Sequence, residues 1–206
     1  MLSDILPTGY EIGVLKGKVM NSLVIVILVI AVIFVFFISL YNSLVAKQNQ
    51  VKSVEAGIDA QLKRRYDLIP NLVATAKEYM VHEKSLLENI TALRESARSA
   101  STNEEKFELN NKISGLLNGL RVSVENYPDL KANQNLLQIQ STLNEVEEQI
   151  SAARRAYNSA VEIYNNATQM FPSNIVASMF GFHKDVFFDI PENEAAAPNV
   201  GDLFKK

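Results

Sequence analysis

Leu23 to Leu40 reads LVIVILVIAVIFVFFISL, and Ser39 is the one polar residue in this stretch. No charged residue occurs between Lys18 and Lys47. An α-helix rises about 1.5 Å per residue, so residues 19–45 are long enough to cross a hydrocarbon core of roughly 30 Å. The sequence therefore predicts a transmembrane helix over residues 19–45, preceded by a short N-terminal segment over residues 1–18.

A buried core helix or a cleavable signal peptide would also be apolar, but neither fits this stretch well. A buried core helix would need other apolar segments to surround it, and the rest of the chain is not apolar enough to do so. A cleavable signal peptide has an apolar region of about 7–15 residues and a small-residue cleavage site. Here Tyr41 to Leu44 leads directly into helix-forming sequence. We therefore expect a single anchor with the lipid bilayer as its partner.

The basic residues on the two sides of the span bear on the orientation of the chain. Lys16 and Lys18 precede the span, whereas Lys47 and Lys52 follow it, so the count near its ends is almost equal. The more distant basic cluster over residues 63–65 favours the cytoplasmic side for the C-terminal domain.

The composition of the chain excludes several classes of function. There is no cysteine, so the chain holds no disulfide, no thiolate nucleophile and no cysteine-based zinc site. A net charge of −3 is not the footprint of a nucleic-acid-binding protein, and we expect no nucleic acid partner. Between Val51 and Phe171 only Pro70 and Pro128 interrupt the chain, which predicts helices throughout.

Helical periodicity continues beyond the span. A stripe of apolar residues at helical spacing indicates that the transmembrane helix runs on into the first helix of a bundle: Leu44, Val51, Val54, Ile58 and Leu62. Pro70 then marks either a tight turn or a kink. Residues 71–98 predict one core-facing helix, and residues from Phe107 to Val124 predict another after a polar turn.

The most regular stretch follows Pro128. Two apolar rows at a and d positions persist over five heptads: Leu136, Leu143, Ile150, Tyr157, Tyr164 and Phe171, and then Ile139, Val146, Ala153, Ala160 and Ala167. These rows either face the core of the bundle or, at the end that carries the tyrosines, pack against another subunit. Together with the preceding segments they predict an all-α fold, in which the transmembrane helix continues into an antiparallel up-and-down bundle of about four long helices over residues 46–171.

The C-terminal region divides into two parts. Residues 172–190 are apolar and are interpreted as a cap over one end of the bundle or as a short interfacial element that touches the bilayer. Residues 191–206 are rich in alanine, proline and acidic residues and predict a flexible tail.

The sequence offers little support for catalysis. His82 and Glu83 begin a string that resembles the zinc-protease pattern H-E-x-x-H, but Leu86 stands where the second histidine ligand is required. We interpret His82 as a helix residue that a neighbouring helix satisfies. No phosphate-binding, dinucleotide-binding or serine-hydrolase motif occurs, so we expect no metal, no cofactor and no enzymatic activity.

Two groups of charged residues are candidates for interaction. Arg64 and Asp67 are three residues apart and share a helix face, so we expect them to pair. Arg65 points about 100° away and needs another partner, which is either an acid on the last long helix or an anionic ligand such as a lipid headgroup. For Arg154 and Arg155 the alternatives are a pair with an acid such as Asp59, Asp67 or Glu147, or the binding of an anion or a lipid headgroup.

Several strings occur in the order found in one protein family: Arg64 to Val73 (RRYDLIPNLV), Tyr79 with His82 and Glu83, Tyr127 to Asn133 (YPDLKAN), Ala153 to Asn158 (ARRAYN), Phe171 to Asn174 (FPSN) and Phe180 to Phe182 (FGF). The chain resembles the LemA family over about Tyr41 to Phe188. The resemblance implies a bacterial single-pass membrane protein with an antiparallel helical bundle and no established enzymatic activity. The candidate structural or interaction residues within these strings are Arg64, Arg65, Asp67, Pro70, Asn71, His82, Glu83, Arg154, Arg155, Tyr157 and Asn158.

These observations lead to one functional hypothesis and two alternatives. We expect a membrane-anchored, non-enzymatic scaffold or interaction protein of the bacterial cytoplasmic membrane that forms a homo-oligomer and contacts other membrane proteins. The alternatives are a regulatory partner of a membrane quality-control system and an enzyme.

Overall fold

The computed structural model describes residues 9–188, with side chains from Met20 onward. These residues form six α-helices: α1 Gly9–Lys77, α2 Lys84–Ser99, α3 Asn103–Val124, α4 Pro128–Lys131, α5 Gln134–Gln169 and α6 Ser173–Phe180. No strand occurs over residues 9–188, so the prediction of an all-α fold is confirmed. The predicted tail over residues 191–206 and the first eight residues lie outside the described part.

The chain divides into two compact units. One unit contains the residues up to Ala46 together with Ala167–His183, and the other contains Lys47–Asn166 together with the residues from Lys184 onward. The second unit holds the helical bundle.

Hydrogen bonds between α1 and α5 define the direction of these two helices in the bundle. Gln48 lies near the start of the bundle part of α1 and contacts the hydroxyl of Tyr164, late in α5. Tyr79, just after α1, contacts Asn133, just before α5. As the residue number rises along α1 it falls along α5, so the two helices are antiparallel.

The position of α3 completes the up-and-down order. Lys106 pairs with Asp59, and Asn110 accepts a hydrogen bond from Arg65, so residue numbers rise together along α3 and α1. α2 packs against α3 and is joined to it by a loop of three residues, which makes the two antiparallel. The bundle therefore consists of α1, α2, α3 and α5 in alternating directions, as predicted from the sequence.

The N-terminus of α3 is capped by side chains on and beside its first turn. The hydroxyl of Thr102 accepts a hydrogen bond from the backbone N–H of Glu105 at 3.2 Å. The Glu105 carboxylate in turn accepts one from the backbone N–H of Ser101 at 3.2 Å. The first bond satisfies a backbone donor that the first helical turn leaves open, and the second satisfies the N–H of the residue before the cap.

The heptad rows of α5 face the core for most of their length. Leu136, Ile150, Tyr157 and Tyr164 of the first row are buried. The prediction is wrong at Phe171, which is 80% exposed and lies beyond Gln169, the last residue of α5. The residue before a proline is disfavoured in the α conformation, so Phe171 leaves the helical register ahead of Pro172.

The predicted helix over residues 71–98 is not continuous. Asn71 belongs to α1, which ends at Lys77, and α2 begins only at Lys84. The carbonyl oxygen of Ala76 accepts hydrogen bonds from the backbone N–H groups of both Tyr79 and Met80, which closes the end of α1. The Met80 side chain is buried in the core and fixes the chain at this break. One turn of 3-10 helix, Val81–Glu83, then leads into α2.

Pro70 causes no turn, because α1 continues through it to Lys77. A proline has no N–H, so the carbonyl oxygen of Tyr66, four residues earlier, lacks its normal helical donor. The Nε of Arg94 on α2 donates to this oxygen at 2.7 Å. The hydrogen bond that Pro70 removes from α1 is thus replaced by one between α1 and α2.

The first unit contains the C-terminal helix α6. Val176 and Ala177 of α6 are buried against Leu44 of α1, with Phe37 and Leu40 packed beside them. Gly181 ends α6 in the left-handed conformation, at a φ of 71°, where a residue without a Cβ is favoured. Residues 172–188 do not form one cap, because α6 packs on α1 whereas residues 185–188 pack on α5 in the other unit.

The replacement of the lost helical bond can be tested with a double-mutant cycle. Arg94→Ala should lower the free energy of unfolding by about 1–3 kcal/mol, because it leaves the Tyr66 carbonyl without a donor. In a Pro70→Ala background the alanine N–H can bond that carbonyl, so the same Arg94→Ala change should cost clearly less. Equal costs in both backgrounds, measured by denaturation of the full chain in detergent, would contradict this role for Arg94.

Two neighbouring leucines test the faces of α5. Leu136 is fully buried, whereas Leu137 is 49% exposed. Leu136→Ala should destabilise the bundle by about 2–5 kcal/mol, as large-to-small core changes do. Leu137→Ala is the matched control and should cost less than about 0.5 kcal/mol. The check is the loss of helical circular dichroism on heating, and equal melting temperatures would reject the assignment.

Candidate functional site

The most buried charge described in the bundle belongs to Arg65, whose side chain is 3% exposed. One guanidinium nitrogen, Nη1, donates to Oδ1 of Asn110 at 2.8 Å. The other, Nη2, donates to the Ser114 hydroxyl at 2.9 Å and lies 2.5 Å from Oε2 of Glu147. Arg65 thus connects α1, α3 and α5, and Glu147 is the acidic partner on the last long helix that the sequence predicts.

Burial is the main influence on the charge of Arg65. It lowers the pKa of Arg65, while the negative charge of Glu147 raises that pKa and partly opposes the effect. Arginine nevertheless stays protonated in proteins, so the bundle holds a permanent buried cation. Such a charge is tolerated when it is paired and hydrogen-bonded, as this one is.

A cavity of about 370 Å³ lies beside this centre, between α1, α3 and α5. Arg65, Ser114 and Glu147 form one part of its wall. Most of its other polar groups are carboxamides: Asn111, Asn118, Gln140 and Asn144. These groups offer hydrogen-bond donors and acceptors, and leucines from all three helices supply apolar surface. The arrangement suits the binding of a small polar molecule.

The expected pair between Arg64 and Asp67 does not form. Asp67 is bound by Lys63, with Nζ 2.6 Å from the carboxylate, and this hydrogen bond lowers the pKa of Asp67. Arg64 instead donates to the side-chain oxygen of Gln149 on α5 at 3.3 Å. Lysine at position i pairs with an acid at i+4 as readily as arginine does at i+3, so spacing alone did not select the partner.

The candidates around the end of α1 lie on the surface. Pro70 and Asn71 are exposed, and the carbonyl oxygen of Asn71 accepts a hydrogen bond from the Thr75 hydroxyl at 2.9 Å. His82 is exposed in the 3-10 turn, so its interpretation as a helix residue satisfied by a neighbouring helix is wrong. Glu83 is half-buried at the start of α2. Over residues 20–188 no cluster of three histidine, aspartate or glutamate side chains is placed to hold a metal ion.

Arg154, Tyr157 and Asn158 of the second group of candidates lie on one face of α5. Arg154 is buried, with its guanidinium carbon 5.9 Å from the centre of the Phe188 ring, whereas Arg155 is exposed. Tyr157 is buried and donates its hydroxyl proton to the carbonyl oxygen of Val186 at 3.0 Å. Burial raises the pKa of Tyr157 to about 12, so this hydroxyl remains a donor in alkaline solution as well.

Asn158 binds the backbone of a single residue twice. Its Nδ2 donates to the carbonyl oxygen of Phe188 at 3.0 Å, and its Oδ1 accepts from the Phe188 N–H at 2.8 Å. Asn165 repeats this arrangement on Asp185, with both distances at 2.9 Å. The extended residues 185–188 are therefore held against α5 by side chains from that helix.

The sequence analysis missed the partners of these residues. Asn110 and Ser114 could not be identified as partners of Arg65 from the sequence, because a buried arginine can donate to any nearby oxygen. Asn165 carried a detectable signal, since it lies seven residues after Asn158 and thus on the same helix face. Residues 185–188 carried no sequence signal for their position on α5, because an extended segment has no periodicity that would indicate its neighbour.

Adjacent arginines test whether Arg65 is structural. Arg65→Ala should lower the free energy of unfolding by about 1–3 kcal/mol, because it leaves the buried Asn110 side chain without its donor. Arg64→Ala is the matched control and should cost less than about 1 kcal/mol, because Arg64 is exposed. Thermal denaturation in detergent without added lipid is the measurement. If Arg65→Ala melts like the parent protein but loses binding to anionic vesicles, the headgroup interpretation replaces the structural one.

Comparisons with known proteins agree with the family suggested by the sequence. The model of the LemA family matches residues 54–201, which is most of the chain. Protein LemA of Metamycoplasma hominis is 25% identical over 178 residues, which cover 86% of this chain and 81% of that protein. The matched region begins in the bundle part of α1 and includes Arg65, Asn110, Glu147 and the α5 face that binds residues 185–188. The chain belongs to the LemA family.

Proposed function

We propose that this protein is a membrane-anchored, non-enzymatic interaction protein of the bacterial cytoplasmic membrane that works as a homo-oligomer. The observation that carries the proposal is the exposure of α1 between Met20 and Phe36. Every side chain in this range is exposed, and most are large and apolar. Burial of apolar surface is favourable by about 25 cal/mol per Å², so such a surface requires a lipid or protein environment. Its length fits a bilayer.

The exposed side of α6 supports the same environment. Helix α6 packs against residues 37–44 of α1, directly after the most exposed part of that helix. Large apolar side chains on and beside α6 remain exposed: Met170, Phe171, Ile175, Met179 and Phe180. The Tyr41 ring lies 4.8 Å from that of Phe180 and 5.7 Å from that of Phe182. Tyrosine is enriched at the interface between membrane and water, so this cluster suits the membrane surface. We propose α6 as a short interfacial element that touches the bilayer.

The bundle supplies the surfaces for interaction. The cavity beside Arg65 offers hydrogen-bonding groups and apolar surface to a ligand. The face of α5 that holds residues 185–188 binds them through hydrogen bonds and packing. The basic cluster over residues 63–65 supports a cytoplasmic position for this unit. A scaffold anchored in this way presents its binding surfaces close to other membrane proteins.

Single tryptophan substitutions test the membrane contacts directly, because the chain contains no tryptophan. Three full-length variants, Val29→Trp, Phe171→Trp and Leu137→Trp, are reconstituted into vesicles with lipids brominated at different depths of the acyl chain. Bromines near the bilayer centre should quench the fluorescence of the Val29→Trp variant, and bromines near the headgroups should quench that of the Phe171→Trp variant. The Leu137→Trp variant, whose indole lies in the bundle, is the control and should show no quenching.

Each comparison with the control decides one part of the proposal. Quenching of the Val29→Trp variant no stronger than that of the control would reject the anchor. The same result for the Phe171→Trp variant would reject the interfacial position of α6.

The interaction role requires a separate measurement. Chemical crosslinking of native membranes followed by mass spectrometry should give crosslinks between copies of the chain and from lysines of the bundle to other membrane proteins. Crosslinks confined to single chains would reject the proposed role.

A further inference from the structure

The cavity beside Arg65 follows the groove between α3 and α5. On α3 the polar residues of its wall are three or four positions apart and therefore share one helix face: Asn111, Ser114, Asn118 and Arg121. The polar residues that α5 contributes have the same spacing: Gln140, Asn144 and Glu147. The two helices are antiparallel, and Ser114 lies opposite Glu147, with its hydroxyl 3.5 Å from the carboxylate.

The antiparallel order gives the cavity two different ends. Arg121 is seven residues after Ser114 on α3, and Gln140 is seven residues before Glu147 on α5. Both are therefore displaced in the same direction, by about 10.5 Å along the helices. One end of the cavity holds the ion pair of Arg65 and Glu147, and the other end holds Arg121 and Gln140. Two carboxamides lie between these ends: Asn118 and Asn144.

The charges of the cavity wall do not balance. Glu147 neutralises Arg65, since its carboxylate lies 2.5 Å from the guanidinium. The other arginine of the wall, Arg121, has no counter-ion among residues 20–188 within 4.0 Å. Glu125 lies four residues after Arg121 and is its expected partner by helical spacing, but Glu125 binds Lys131 at 2.5 Å. The wall therefore carries one positive charge in excess, at the end away from Arg65.

These groups determine which ligand chemistry matches the cavity. The planar fork of an arginine binds a carboxylate through two parallel hydrogen bonds, so Arg121 favours a carboxylate at its end. Carboxamides both donate and accept hydrogen bonds, which suits an amide or a hydroxyl group beside them. Leucines supply apolar surface: Leu72, Leu117, Leu120 and Leu143. The described wall contains no aromatic side chain on which a nucleobase could stack.

We propose that this cavity is a binding site for a small organic carboxylate that carries an amide or hydroxyl group and a short apolar group. The carboxylate pairs with Arg121, the polar group bonds with the carboxamides, and the apolar group contacts the leucines. The volume of about 370 Å³ falls within the range of about 300–1,000 Å³ that is usual for ligand sites. The inference deepens the proposed interaction role by naming a ligand class. It does not depend on the anchor or on the homo-oligomer, which the quenching and crosslinking experiments test separately.

N-acetyl-leucine combines the three required groups and is the probe. It is titrated into the full-length chain in detergent, with ¹³C in the leucine methyl groups, and the methyl resonances are followed by NMR. A molecule of this size should bind with a Kd of about 2 mM. The resonances of the cavity leucines should shift saturably. Those of Leu137, which is exposed on α5 outside the cavity, should not shift. Absence of saturable shifts at about ten times that Kd would overturn the proposal.

The role of the carboxylate is tested with a second probe on the unchanged chain. N-acetyl-leucinamide has the same body without the negative charge. It should bind about 10- to 100-fold more weakly, as expected for the loss of hydrogen bonds between charged groups. This comparison requires no variant and therefore does not depend on the folding of one. Equal affinity for the two probes would contradict the assignment of a carboxylate.

The role of Arg121 is tested by substitution. Arg121→Gln should weaken the binding of N-acetyl-leucine by the same factor of about 10 to 100. Lys112→Gln is the matched control, because it removes an exposed cation of α3 that lies outside the cavity, and it should leave the affinity unchanged. The methyl spectra without probe show whether both variants are folded. An affinity of the Arg121→Gln chain equal to that of the parent chain would overturn the proposal.

Discussion

The buried charge of Arg65 constrains the arrangement of the bundle. Its guanidinium is 3% exposed and has to be neutralised and hydrogen-bonded where it lies. Asn110 and Ser114 of α3 and Glu147 of α5 meet this need together. A shift of either helix along α1 by one turn would separate these groups from the guanidinium. The apolar core supplies the favourable burial energy, but it tolerates sliding better than this charge does, so Arg65 fixes the register of three helices.

Near Arg65, the helical hydrogen bond that α1 lacks at Pro70 is replaced by a contact with another helix. Pro70 removes a backbone donor from the helix, and Arg94 of α2 donates to the Tyr66 carbonyl that is left open. The family signature around Arg65 and Pro70 therefore contributes two polar links, one toward α3 and α5 and one toward α2. Both links arise at positions that are unfavourable in an isolated helix. One position carries a charge that becomes buried, and the other carries a proline inside the helix. In each case a neighbouring helix supplies the missing partner.

The same principle operates at the other end of α5, where side chains take the place of secondary structure. Residues 185–188 have no strand beside them, yet Asn158, Asn165 and Tyr157 satisfy their backbone groups. The aromatic anchor Phe188 then provides the apolar contact with Phe107. A helix with correctly spaced carboxamides can thus hold a segment of its own chain without a sheet.

The helical class, the apolar span, the up-and-down order and the inner face of α5 could be predicted from the sequence. Helical periodicity and proline positions are local properties, which do not depend on the neighbouring segments. The sequence also indicated that Arg65 needs a partner, either an acid on the last long helix or an anionic ligand. The tertiary structure alone decided that Asp67 pairs with Lys63, that α1 passes through Pro70 and ends at Lys77, and that His82 lies on the surface. It also brought residues 185–188 onto α5. These outcomes depend on which of several chemically equivalent partners lies within about 3 Å, and that distance is set by the packing of segments far apart in the chain.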